Sequence, residues 1–183
     1  MVRILLALFM ATTIAGAVSA KDLVPTNGPV RHRDGRTGGG DWGSATLITT
    51  IPYSDTGVTC GAYWVVDFTC GYTAGVSPDL FYQFTSCFGG TVSVSLCGSD
   101  YDTEVAIFDS NHNALACNDD FCNLQSEIDN FTLNAGSLYY IVVSGYYGSC
   151  GDYVLNISGN DCLGGPVPVG NTSWGRIKSV YAR

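Results

Sequence analysis

The chain has 183 residues, 46% of them hydrophobic, with eight Lys and Arg against sixteen Asp and Glu and a formal net charge of −8. That length suits one ordinary domain, and that apolar content excludes a chain too polar to form a core. An acidic surface of this kind also excludes nucleic acid as a partner.

In chain order, a short positive start (Met1, Val2, Arg3) leads into an apolar run over residues 4–18. Val18-Ser19-Ala20 then supplies small residues, which predicts a signal peptide over 1–20, cleaved after Ala20. The run is shorter than the roughly 20 apolar residues a membrane span needs, and no later segment is apolar enough. The mature chain is therefore expected to be secreted, extracellular or at the cell surface, with no membrane span. Residues 21–41 carry Pro25, Gly28, Pro29, Gly35 and Gly38-Gly39-Gly40 among polar and basic residues, and read as a flexible basic arm.

From Trp42 to Ser158 the pattern is β throughout. Val92, Val94 and Leu96 alternate with polar residues, and Leu80, Tyr82 and Phe84, and again Tyr153, Leu155 and Ile157, recur at the same two-residue spacing. Residues 104–108, 114–117, 128–133 and 138–144 are further predicted strands. Gly89-Gly90, residues 109–113, 134–137 and 148–152 supply turn chemistry between them. Many short strands at such spacing predict an all-β antiparallel sandwich or jelly roll. Residues 159–183 are a Gly/Pro spacer and a basic tail, in which Trp174, Ile177 and Tyr181 could share one helical face; a terminal sorting tag or docking peptide has this layout.

Charge is segregated along the chain. No Lys or Arg lies between Thr37 and Gly175, a stretch that holds fourteen carboxylates. Basic residues of the mature chain lie only in the two flanks: Lys21, Arg31, Arg33 and Arg36 before the domain, and Arg176, Lys178 and Arg183 after it. The carboxylates must be solvated, hydrogen-bonded, neutralised by a cation or paired with the flanks. An acidic body with basic flanks could also self-associate head to tail, as a cell-surface structural or filament subunit would.

The stretch from about Ile51 to Ser158 resembles the bacterial pre-peptidase C-terminal domain family in its cysteine-rich secreted form. The likeness is carried by residues 52–57 with Cys60-Gly61, by Pro78-Asp79 with Tyr82 and Phe84, and by residues 95–103, whose Asp100-Tyr101-Asp102-Thr103 is the most specific part. Cys117-Asn118-Asp119-Asp120, Ala135-Gly136, residues 140–143 and 151–155 continue it in order. The resemblance implies a jelly-roll-like β-sandwich of about eight strands, stapled by disulfides. It also implies a non-catalytic module, some relatives of which bind calcium. In that family the domain usually accompanies a secreted peptidase, whereas no peptidase domain precedes the matching stretch here.

Cys60, Cys70, Cys87, Cys97, Cys117, Cys122, Cys150 and Cys162 form an even set, which in an exported chain reads as disulfides, and no histidine stands near enough to complete a zinc finger. Pairing of sequence neighbours is one arrangement: Cys60–Cys70 closing a hairpin, Cys87–Cys97 bracing two edges, Cys117–Cys122 closing a tight loop, and Cys150–Cys162 pinning the spacer. Eight cysteines allow on the order of a hundred connectivities, and Cys97–Cys117 is among those left open.

Three kinds of site suggest themselves. Asp102 and Thr103 at one turn, with Asn118, Asp119 and Asp120 at another, could simply cap local backbone amides. If the turns meet, Asp102, Asn118, Asp119, Asp120 and Glu127 would offer hard oxygens to calcium, the only cofactor the sequence suggests. Tyr63-Trp64, and Tyr146-Tyr147 between two glycines, are candidates for stacking on an extracellular protein or carbohydrate. No nucleophile and base stand in a catalytic context, because His32 and His112 both lie outside one. The expected function is accordingly a non-catalytic binding or adhesion module.

Overall fold

The structure is a computed structural model that describes residues 37–67, 70 and 76–163. The expected signal peptide over 1–20, the expected arm through residue 36 (with His32) and the expected tail from residue 164 lie outside the described residues.

Among the described residues, nine strands form two sheets. In chain order they are β1 (Thr46–Leu47), β2 (Tyr53–Val58), β3 (Leu80–Thr85), β4 (Thr91–Ser95), β5 (Thr103–Asp109), β6 (Ala114–Asn118), β7 (Glu127–Thr132), β8 (Leu138–Gly145) and β9 (Asp152–Gly159). One sheet has the order β1-β3-β8-β5-β6 and the other β2-β9-β4-β7. All pairs are antiparallel except β1 with β3. The all-β sandwich expected from alternation is what forms.

Alternation explains why these segments pair. Tyr82, Phe84, Val92, Val94, Val105, Ile107, Ile141, Val143, Tyr153, Leu155 and Ile157 point into one core between the sheets, and each is essentially solvent-free. Truncating any one of the larger of these to Ala would cost about 2–5 kcal/mol. The central strands β3, β5 and β8 are apolar on both faces. Phe81, Ala106, Phe108 and Val142 make a second, smaller core on the outer side of their sheet. Trp42 covers it, meeting Phe81, Phe108 and Tyr140 edge-on at centroid distances of 4.8, 5.2 and 5.2 Å and stacking on His112 at 4.1 Å. The Trp42–Ser44 turn is held by Asp41, whose carboxylate accepts from the Ser44 amide at 2.8 Å. His112 is thus a ring in an aromatic stack.

The packed region extends beyond the strands at both ends of the sequence. Gly39 bonds to Phe81 through both backbone groups, and the Thr37 hydroxyl donates to Thr56 O at 3.0 Å. After β9, Leu163 bridges to Ser86, and Asp161 accepts from the Ser86 hydroxyl and from the amides of Cys87, Phe88 and Gly90.

The disulfides are Cys60–Cys150, Cys70–Cys117, Cys87–Cys162 and Cys97–Cys122. None of the neighbour pairings forms, and neither does Cys97–Cys117. The reason is topological. The end of β2 meets the start of β9, with Val58 opposite Asp152, so Cys60 reaches Cys150. The end of β4 meets the start of β7, with Ser95 opposite Glu127, so Cys97 reaches Cys122.

Candidate functional site

Strand direction sends four loops to one end of the sandwich: β2–β3, β4–β5, β6–β7 and β8–β9. Short backbone bonds knit them together. Tyr146 N–H donates to Asp102 O at 3.0 Å, Thr103 N–H to Leu124 O at 2.9 Å, and Thr59 N–H to Gly151 O at 3.0 Å. Gly148 N–H donates to the Ser77 hydroxyl at 2.8 Å. Three disulfides have their sulfurs at this end, and only Cys87–Cys162 lies at the other.

The loops expose apolar and aromatic side chains. Tyr63 is 77% exposed and Tyr147 69%, and Trp64, Val65, Val76, Phe121 and Leu124 are exposed beside them on the same loops. Tyr147 sits in the left-handed region (φ 46°, ψ 44°), where bulky residues are uncommon, and the following Gly148 has φ 89°. The turn therefore holds the Tyr147 ring outward. Tyr63-Trp64 is held from beneath by the fully buried Asp79. Its carboxylate accepts from Val65 N–H at 2.7 Å and Val66 N–H at 2.8 Å, while its own amide donates to Tyr63 O at 2.9 Å. Burial raises the Asp79 pKa even against those two bonds.

The same end carries an acidic cluster. Asp102, Asp119 and Asp120 each place a carboxylate oxygen within 4.8 Å of the other two. Asp102 does not cap its turn: its Oδ1, like that of the 8% exposed Asp119, is buried with no hydrogen-bond donor among the described residues. Thr103 caps no local amide either: its hydroxyl accepts from Ser126 N–H, 23 residues on in the β6–β7 loop, at 2.9 Å. Burial, then the Asp120 and Asp102 charges, push Asp119 up to about 6. Burial and Asp120 also raise Asp102. Asp161 is the contrast: burial raises it too, yet its bonds from Ser86 and three amides leave it below the ordinary carboxylate value.

Of the five residues expected to offer oxygens, the structure therefore brings three together. Asn118 spends its Oδ1 on Glu127 N–H at 2.9 Å, and the Glu127 carboxylate stands outside the convergent set. Sequence reasoning passed over Glu104. It lies on β5 opposite Ser144, buried, and is pushed up to about 7 by burial and then by Asp119 and Asp102. Its signal was a carboxylate at the head of an otherwise apolar strand.

Fold and site together define a disulfide-stapled β-sandwich that carries an acidic cluster at the same end as exposed aromatic and aliphatic side chains. No family model matches the chain, and no curated protein matches it. Among solved structures, it is similar to the pre-peptidase C-terminal domain of collagenase from Bacillus anthracis, with 18% identity, 62% of this chain and 93% of that one covered, and a TM-score of 0.46. It is also similar to PliG, a periplasmic lysozyme inhibitor of g-type lysozyme from Aeromonas hydrophila, with 17% identity, 63% and 95% covered, and a TM-score of 0.40.

Proposed function

We propose that the protein is an exported, non-catalytic binding or adhesion module that takes an extracellular protein or carbohydrate on its loop end. The observation that carries this reading is the gathering of exposed Tyr63, Trp64, Val76, Phe121, Leu124 and Tyr147 onto three of the four cross-linked loops at one end. Most of the large exposed apolar side chains of the described residues lie there, and such patches mark interaction sites. Aromatic rings on rigid loops give contact area at small entropic cost. A non-catalytic role is supported by the character of the polar groups: all eight cysteines are paired and His112 is stacked on Trp42.

The test is capture of the mature protein on glycan and peptide arrays, repeated with the Tyr63→Ala/Trp64→Ala/Tyr147→Ala variant. The variant is expected to lose at least about 30-fold in affinity, the weight of a hot spot, with unchanged circular dichroism. Binding retained by the variant, or a robust hydrolase activity abolished by changing Asp119 and Asp120, would overturn the reading.

A second reading, a subunit that assembles through its basic flanks, is favoured by one observation. Cys162 is fastened to Cys87 at the end of the sandwich opposite the acidic cluster, and the described chain ends there at Leu163. Head-to-tail contacts of that kind extend into rings or filaments. Light scattering at low salt separates the two: assembly that disappears on deleting residues 171–183 supports the second, and an unchanged monomer refutes it.

A further inference from the structure

We propose that residues 171–183 of one copy dock on the loop end of the next, with Trp174, Ile177 and Tyr181 against its exposed apolar side chains and Arg176, Lys178 and Arg183 against its carboxylates. This rests on the assembly reading above and names the surface that the basic segment meets.

The loop end has two properties that a partner must match. It exposes Tyr63, Trp64, Phe121, Leu124 and Tyr147, and clustered apolar side chains of this kind mark an interaction surface. Its charge is of one sign: Asp67 and Asp120 are exposed there, and no Lys or Arg occurs from Thr37 to Gly175. Cationic side chains for this end must come from outside that stretch.

The segment 171–183 carries both complements. It holds Arg176, Lys178 and Arg183 and no Asp or Glu. Trp174, Ile177 and Tyr181 recur at spacings of three and four residues, the anchor spacing of a segment that lays one apolar face on a partner. A guanidinium gains twice on such a surface, because it pairs with carboxylates through two bonds and stacks on aromatic faces. The other basic flank, residues 21–36, matches less well: it dilutes its charge with Asp22 and Asp34 and has no Trp, Tyr or Phe.

Chain length favours a neighbour over the segment's own domain. The described chain ends at Leu163, which bridges to Ser86 beside the Cys87–Cys162 disulfide, at the pole opposite the loop end. Eleven residues lead from Leu163 to Trp174, and they span at most about 36–40 Å. The eight residues of β9 alone occupy about 26 Å of the distance between the poles, before the loops are added. Docking within one copy therefore takes nearly all of the available length, whereas a neighbour whose loop end faces the far pole needs no such extension. The two surfaces differ, so the contact repeats from copy to copy and builds a ring or a filament.

The experiment is light scattering of the full mature protein at about 0.01 M and about 1 M salt, where charges act over roughly 30 Å and 3 Å. Oligomers are expected at low salt and a smaller mass at high salt. Asp67→Lys/Asp120→Lys, at two exposed carboxylates of the loop end, should reduce the low-salt mass to that of the monomer, and so should Arg176→Glu/Lys178→Glu. The four changes together make the charges complementary again and should restore oligomers, which a variant that merely failed to fold would not do. Trp64→Ala/Phe121→Ala should weaken association about 30-fold or more, the weight of a hot spot. Assembly that is lost on reversing the charge of the segment but is untouched by Asp67→Lys/Asp120→Lys would overturn this docking surface and leave the assembly reading standing. Failure of the fourfold variant to reassemble would overturn it as well. A wild-type monomer at both salt concentrations would overturn the docking and the assembly reading together.

Discussion

Glu104→Gln tests the electrostatics of the loop end most directly. The carboxyl is buried at the head of β5, and burial together with Asp119 and Asp102 pushes it up to about 7 from 4.5. A raised carboxyl pKa means that the folded state holds the proton more tightly than the unfolded one. Its contribution is therefore fully present below pH of about 4.5 and is lost as pH rises through about 7. The whole shift corresponds to about 3 kcal/mol at 1.36 kcal/mol per unit, and solvent at the mouth of the cluster reduces it, so about 1–3 kcal/mol is expected. Glutamine keeps the shape and cannot ionise. In chelator, urea titrations should find Glu104→Gln more stable than wild type by about 1–3 kcal/mol at pH 8 and equal to it at pH 4. An equal gain at both values would locate the effect in packing and refute the charge argument, and a loss at pH 8 would show Glu104 to be paired with a cation the reasoning omits.

Two further outcomes are expected. Asp79→Ala leaves the Val65 and Val66 amides without their acceptor, and should cost about 1–3 kcal/mol. It should also open the Tyr63-Trp64 segment to chymotrypsin, and a digestion rate equal to wild type would show that the segment is held by something else. Peptide mapping of the unreduced protein should recover Cys60–Cys150 and Cys97–Cys122, and Cys60→Ser/Cys150→Ser, which opens a separation of 90 residues, should cost about 2–4 kcal/mol. Recovery of Cys60–Cys70 or Cys117–Cys122 peptides would contradict the topology itself.

Alternation made β3, β4 and β9 legible, because strands facing a core on a fixed side must place apolar residues two apart, while β5 and β8, apolar on both faces, were legible as short apolar runs between turn residues. It did not reveal β2. Tyr53–Val58 is an edge strand with Ser54, Asp55 and Gly57 in it, and it pairs because β9 offers a ladder. Gly57 is required there: a Cβ would come within 2.8 Å of the Tyr153 hydroxyl, which is bonded to Tyr82. The four aromatic candidates were legible one by one from their loop setting, but their gathering at one end depends on strand direction, which spacing does not encode. The cysteine pairing was illegible for the same reason. Sequence neighbours suggest hairpin closures, whereas a sandwich whose sheets draw alternately on the chain brings distant loop ends together. Glu104 was missed because an isolated carboxylate in an apolar strand resembles an edge-softening charge until its acidic neighbours are known.

The contrast between the two poles argues for the loop end as the working one. At the opposite pole the chain turns with economy. Asp109 accepts from the amides of Asn111 and Asn113 between β5 and β6, and a short turn over residues 134–137 joins β7 to β8. One disulfide suffices there. At the loop end the segments are longer, like charges are crowded, three buried carboxylate oxygens (of Asp79, Asp102 and Asp119) lack donors among the described residues, and apolar rings face water. Each of these destabilises the fold, and three cross-links offset them. A fold under selection for stability alone would use short turns at both poles. Retaining a strained, charged and sticky end, and stapling it, is the pattern expected where local stability is traded for a rigid binding surface.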